Sequence, residues 1–168
     1  MLNNSPAIIK AQMVQHDFCI QYPFQIESFC HEIGIKLIKN RELDVDGYLY
    51  KKGGKKYIFV NSRIVVPAQQ RFVIAHELGH YFLHTTEMLQ ICAGVLSSFH
   101  KDATIRTTER EANEFASEIL LPLAHISREL NGRQVSFEII DKIASKYGIS
   151  RTAAAIKCVE SSPTEVNF

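Results

Sequence analysis

From Phe72 to Leu83 the chain is apolar on nearly every side of a helical wheel: Phe72, Val73, Ile74, Ala75, Leu78, Tyr81, Phe82 and Leu83 leave no solvent-facing stripe. A helix that is hydrophobic all round belongs in the middle of a fold, covered by other elements. This one, read over Pro67 to His84, also carries His76, Glu77 and His80. Desolvating such groups costs roughly several kcal/mol unless something satisfies them. Gly79 is a second anomaly, because glycine inside a helix costs about 1 kcal/mol relative to alanine. Its presence predicts another backbone passing close at that point.

Histidines four apart lie one turn above each other on one helical face, so both imidazoles can reach a single metal ion. The H-E-x-x-H pattern of His76-Glu77-Leu78-Gly79-His80 adds a carboxylate beside that ion, placed to act as a general base on water. The competing reading is a pair of hydrogen-bonded core histidines. Catalytic zinc takes three protein ligands and keeps one position open, so a third ligand is required. A second helix, read over Thr108 to Leu121 and stopped by Pro122, offers it. At about 100° per residue, Ala112, Phe115, Ala116, Ile119 and Leu120 form its buried stripe. Glu111, Glu114 and Glu118 fall on the opposite face, read as solvated, while Glu109 and Asn113 lie at the edge of the stripe. Glu109 is therefore assigned as third ligand, with Asn113 holding a ligand imidazole in place. Glu111 is the competing acid. With Thr108 it also fits a capping box, and Glu109 alone would suit a first helical turn through the helix dipole.

The rest of the chain reads as one domain with a helical appendage. Its 168 residues, 46% hydrophobic and 22% charged, suit a soluble globular protein with a sizeable core. A formal net charge of +1 argues against a globally basic nucleic-acid binder. No stretch reaches the roughly 18 to 20 apolar residues of a membrane span. The first residues interrupt their apolar pieces with Lys10 and Gln12, which reads against a secretory signal. Cys19, Cys30, Cys92 and Cys158 form no C-x-x-C pair and read as reduced, buried thiols, so the expected compartment is the cytoplasm. Weak helical spacing (Ile8, Ile9, Ala11, Met13) covers Ala7 to Phe18, and a short amphipathic helix covers Ile26 to Ile33. Extended pieces follow at Ile35 to Lys39, Tyr48 to Lys52 and Lys56 to Asn61, with Gly53-Gly54 as a hairpin turn. The expected fold class is α+β: a small antiparallel β-meander packed on the central H-E-x-x-H helix and a second metal-binding helix, with short C-terminal helices. Residues 1–122 are read as the core and 123–168 as a helix-turn-helix-like extension packed on it, ending in a frayed polar tail, SSPTEVNF.

The run Arg71 to His84, followed by Glu111-Ala112-Asn113-Glu114-Phe115-Ala116 and Ile119-Leu120-Leu121-Pro122, resembles the ImmA/IrrE family of bacterial and phage zinc metallopeptidases. The resemblance covers nearly the whole chain. It implies a minimal zincin core, gluzincin-like, with two metal-binding histidines on one helix and a metal-binding glutamate on the next. In that family the ligand glutamate precedes the asparagine by four residues, the position of Glu109. It also implies cleavage of a helix-turn-helix transcriptional repressor, which derepresses mobile-element or stress genes.

The expected activity is thus a zinc-dependent endopeptidase with one Zn2+ per chain on His76, His80 and Glu109, preferred over manganese by ligand type. Glu77 would take a proton from the attacking water and pass it to the leaving amine. Tyr81, His84, His100 and His125 are conceivable oxyanion donors, none of them assigned. A substrate segment could pair in extended form with the edge of the meander. Lys51-Lys52-Gly53-Gly54-Lys55-Lys56 reads as a solvated basic turn. Phe137 to Cys158 has helix-turn-helix spacing, but only Arg151, Thr152 and Lys157 on its second helix could read bases. The expected partner is a DNA-binding repressor as substrate, with no membrane; direct nucleic-acid contact is disfavoured and left open only through the C-terminal helices. The alternative is a non-catalytic regulatory module with a structural or vestigial metal site and C-terminal helices that contact DNA.

Overall fold

The computed structural model describes residues 5–84, 90–91 and 103–161. Two helices, α1 (Pro6–Asp17) and α2 (Ile26–Glu32), precede three strands, β1 (Lys36–Arg41), β2 (Gly47–Lys52) and β3 (Lys55–Asn61). The central helix α3 (Pro67–Leu83) follows, then a two-residue strand β4 (Gln90–Ile91) and the long helix α4 (Ala103–Leu120). Three short helices close the described chain: α5 (Leu123–Leu130), α6 (Phe137–Tyr147) and α7 (Arg151–Ser161). The class is α+β, as expected. Ser161, the first residue of the tail expected to fray, is the last of α7, while residues 162–168, His100 and Cys92 lie outside the described residues; Cys19 is exposed, which corrects its expected burial.

The sheet is mixed, with order β1-β3-β2-β4, which corrects the antiparallel meander. β2 and β3 form the expected hairpin through Gly53 and Gly54, both at positive φ. β1, however, pairs parallel to β3, Lys36 opposite Tyr57 and Ile38 opposite Phe59. Asn61 accounts for this path. Its side-chain amide donates to the carbonyls of Leu43 (2.7 Å) and Val45 (2.9 Å), and its backbone N–H donates to Asp46 (2.8 Å). The connection after β1 is thereby held across the end of β3, leaving β3 in the middle of the sheet.

Alternation along the strands buries Leu49, Ile58 and Val60, which join Val73, Ile74 and Leu78 of α3 in one hydrophobic cluster. The same cluster continues through Phe115 and Ile119 of α4 into Ile126, Ile143, Tyr147 and Cys158 of the C-terminal helices. In α1 the buried face is Ala7, Ala11 and Val14, a stripe of small side chains that lets this helix approach α4, while Ile9 and Met13 are exposed. Helix α4 starts earlier than the sequence suggests. Thr108 and Glu111 are therefore interior to it, so no capping box forms there, and Glu109 is not a first-turn acid.

Glu118 corrects the solvated face assigned to α4. It is buried, accepting from Lys157 Nζ (3.2 Å) on α7 and from Gln12 Nε2 (3.3 Å) on α1. A wheel drawn from one helix cannot register that α1 and α7 cover its other side.

Candidate metal centre

Gly79 sets the geometry of the centre. A Cβ built on it would stand 2.9 Å from the Ala112 Cα and 3.0 Å from the Ala112 carbonyl oxygen. Helix α4 therefore crosses α3 backbone against backbone, the close approach that glycine permits. The crossing puts Glu109, one turn before Ala112, opposite the histidine face of α3.

Three ligand-type atoms converge there. His76 Nε2 and His80 Nε2 are 3.0 Å apart, and Glu109 Oε2 and Oε1 lie 3.2 Å and 3.3 Å from them respectively. Both imidazoles are buried, while the Glu109 side chain keeps 18% of its surface exposed. The centre is thus closed from behind and open on the carboxylate side. Burial raises the Glu109 carboxyl, but in acid, where His76 and His80 are protonated and donate N–H to it, those contacts outweigh burial and draw the group down to about 2. Burial pushes the His80 imidazole below its ordinary value, against the pull of Glu109. Both shifts leave the groups ready to bind a cation: an ionised carboxylate and a neutral ring.

The far side of each ring strengthens that reading. His76 Nδ1 lies 2.9 Å from Asn113 Oδ1, an acceptor, so this nitrogen carries the proton. In the neutral ring Nε2 then bears a lone pair aimed at the oxygen lone pairs of Glu109. Such an arrangement is repulsive unless a proton or a cation sits among the three atoms. Zinc bonds of about 2.0 to 2.1 Å in tetrahedral geometry place neighbouring ligand atoms about 3.3 Å apart, close to the separations found here. Two imidazoles and one carboxylate are also a donor set of catalytic zinc. The residues fit the ion.

Glu77, fully buried, follows His76 on the same helix. Strand β2 starts beside it: a Cβ on Gly47 would lie 3.7 Å from Glu77 Oε1 and only 2.4 Å from Val73 Cγ1. Glycine at that position lets the sheet close down on the metal helix. The other described histidine and tyrosine candidates do not join the three ligand-type atoms. Tyr81 OH accepts from Lys56 Nζ (3.0 Å), and His125 packs on the Tyr22 ring at 4.5 Å between centroids. His84 lies behind His80, its Nδ1 3.0 Å from His80 Nδ1, and its Nε2 meets Glu111 Oε2 at 3.2 Å. Glu111, the competing ligand, therefore engages His84. The spacing of His84 from His80 is visible in the sequence; the pairing with Glu111 requires the helix crossing.

A buried H-E-x-x-H helix crossed by a second helix that brings a carboxylate to both rings is the arrangement of a metallopeptidase-type protein. Comparison with known proteins agrees. The peptidase M78 family, described as the IrrE N-terminal-like domain, matches residues 30–159. "Uncharacterized immunity region protein 2" of Bacillus phage phi105 is 30% identical over 139 residues, covering 80% of this chain and 78% of that protein. "Metallopeptidase ImmA" of Bacillus subtilis (strain 168) is 37% identical over 101 residues, 57% of this chain and 53% of its own length. The chain belongs to the ImmA/IrrE family of metallopeptidases.

Proposed function

We propose that this protein is a zinc-dependent endopeptidase acting on a helix-turn-helix repressor. The convergence of His76 Nε2, His80 Nε2 and the two oxygens of the Glu109 carboxylate, at contacts of 3.0 to 3.3 Å, carries the reading. One Zn2+ per chain would be held by these three residues, with Asn113 fixing the His76 ring through its Nδ1–H. When bound, the ion supplies Lewis acidity, which acidifies water and polarises a carbonyl. Glu77 accepts a proton from the attacking water and returns it to the leaving amine, the usual work of a carboxylate at this position. Burial of Glu77 keeps that exchange away from bulk solvent.

The substrate chain would lie extended beside β2, on the edge that, among the described residues, pairs with β4 at Tyr48 and Leu49. Extended binding selects flexible loops over packed elements. A repressor as substrate rests on the family and on the relative whose name places it in a phage immunity region.

The C-terminal helices favour a supporting role over DNA reading. Lys157 is buried on Glu118, and Arg151 is paired with Asp141, leaving Thr152 as the remaining candidate reader. Residues 1–122 are read as the metallopeptidase core and 123–168 as an extension docked on it, supported by the hydrophobic cluster shared by both parts. A cytoplasmic location is consistent with free thiols at Cys19 and Cys30; no described helix is long and apolar enough to cross a membrane.

The test is incubation with the repressor encoded beside this gene, with zinc or manganese, and mass spectrometry of the products. Two fragments are expected from the wild type. Glu77→Gln should slow cleavage by about 100-fold or more while keeping the metal. An intact repressor with the wild type, or cleavage by Glu77→Gln at the wild-type rate, would refute the proposal.

A further inference from the structure

We propose that Glu111 and His84 are positioning residues that set the proton on His80, so that a surface carboxylate decides how the buried ligand presents its lone pair. The proposal rests on the zinc reading above and concerns groups outside the three ligands. Its basis is a chain of contacts running inward, from Glu111 Oε2 to His84 Nε2 (3.2 Å), and from His84 Nδ1 to His80 Nδ1 (3.0 Å). Exposure falls along it, from 30% for the Glu111 side chain to 13% for His84 and none for His80.

Elementary donor and acceptor accounting fixes the direction. An ionised carboxylate only accepts, so His84 Nε2 must carry a proton. A neutral imidazole has one N–H, so His84 Nδ1 is then bare and accepts. The proton between the two rings therefore belongs to His80 Nδ1, and His80 Nε2 is left with its lone pair facing His76 Nε2 and Glu109. His76 reaches the same state by a shorter route, through the amide oxygen of Asn113. The two ligand rings are thus oriented by unlike devices, a neutral amide for one and a carboxylate acting through a second imidazole for the other. Outer partners of this kind hold ring orientation and raise ligand basicity, and losing one costs about 10 to 100-fold in metal affinity.

Two measurements on the full chain test this. Nitrogen-15 NMR of the imidazoles in the metal-free protein reads the tautomer directly, and competition with a chromogenic chelator reads zinc affinity. In the wild type His80 is expected as the Nδ1–H tautomer. Glu111→Ala and His84→Ala should mix the two tautomers and weaken zinc by about 10 to 100-fold. Glu111→Gln, whose amide oxygen still accepts from His84, should recover most of both, a rescue that a merely structural role would not show. Unchanged tautomer and zinc affinity within about 2-fold in both alanine variants would overturn the proposal. His76→Ala separates the two levels: loss of zinc there with full affinity in Glu111→Ala leaves the metal site standing and removes only the relay. A wild type that binds no zinc removes the reading beneath it, while the tautomer result still reports on the contacts themselves.

Discussion

Glu109 and Glu118 are acids of the same helix, and their surroundings differ in one respect that decides their roles. Glu118 meets a cation belonging to the chain, Lys157, and a side-chain amide from Gln12, so its charge is balanced inside the fold. Glu109 meets two imidazoles, both held so that in neutral form lone pairs face it. A buried carboxylate supplied with its own counter-ion is part of the architecture. One that, among the described residues, meets two rings at ligand spacing is suited to a cation from outside.

Three perturbations bear on that contrast. The largest effect is expected from Glu118→Ala, which strands Lys157 in the core and should cost about 3 to 5 kcal/mol in denaturant unfolding. Glu160, 4.0 Å from Lys157, would draw the value toward the lower figure. Zinc affinity of the folded fraction should not change; a loss of zinc binding would merge the two sites into one network. Next is Gly79→Ala. Helix propensity alone predicts a gain of about 1 kcal/mol, whereas the 2.9 Å approach of Ala112 predicts a net loss of about 1 to 3 kcal/mol from overpacking. Thermal unfolding gives the sign, and a stabilised variant would mean that the helices part freely. Zinc should weaken as well, because the same crossing carries Glu109 to the rings.

The smallest effect is confined to acid. In the metal-free protein Glu109 is held at about 2, below its ordinary value of 4.5. A depressed carboxyl contributes stability above its unfolded pKa, and that contribution is lost as pH falls through the folded value. Stability of the wild type should therefore decline between about 4.5 and 2 more steeply than that of Glu109→Gln, superimposed on the titration of other carboxylates. Equal slopes would mean that the rings, protonated in acid, donate nothing to Glu109.

Helix α3 shows how far the sequence reaches. Its burial from Val73 to His80 follows from an apolar circumference, though Phe72 before that stretch is exposed and Tyr81, Phe82 and Leu83 after it are half-buried. The meeting of the two imidazoles follows from a spacing of four in a 3.6-residue turn. Gly79 predicts a crossing backbone, and the structure supplies it at Ala112. The acid at the edge of the α4 stripe could be singled out by the same local geometry. Glu118 could not be placed by it, because what covers the far side of α4 is decided by α1 and α7. The role of Glu111 was hidden for a related reason: a capping box is a local pattern, but the helix start that would have used it lies elsewhere.

The sequence by itself determined the elements whose causes are local: the amphipathic and all-apolar helices, the Gly53-Gly54 hairpin, and the pair of rings one turn apart. Tertiary structure decided the parallel placement of β1, the burial of Glu118 and the chain from Glu111 to His80. Periodicity along a helix or strand is a property of neighbours in the chain, whereas strand order and the burial of a second face depend on contacts between residues far apart in it.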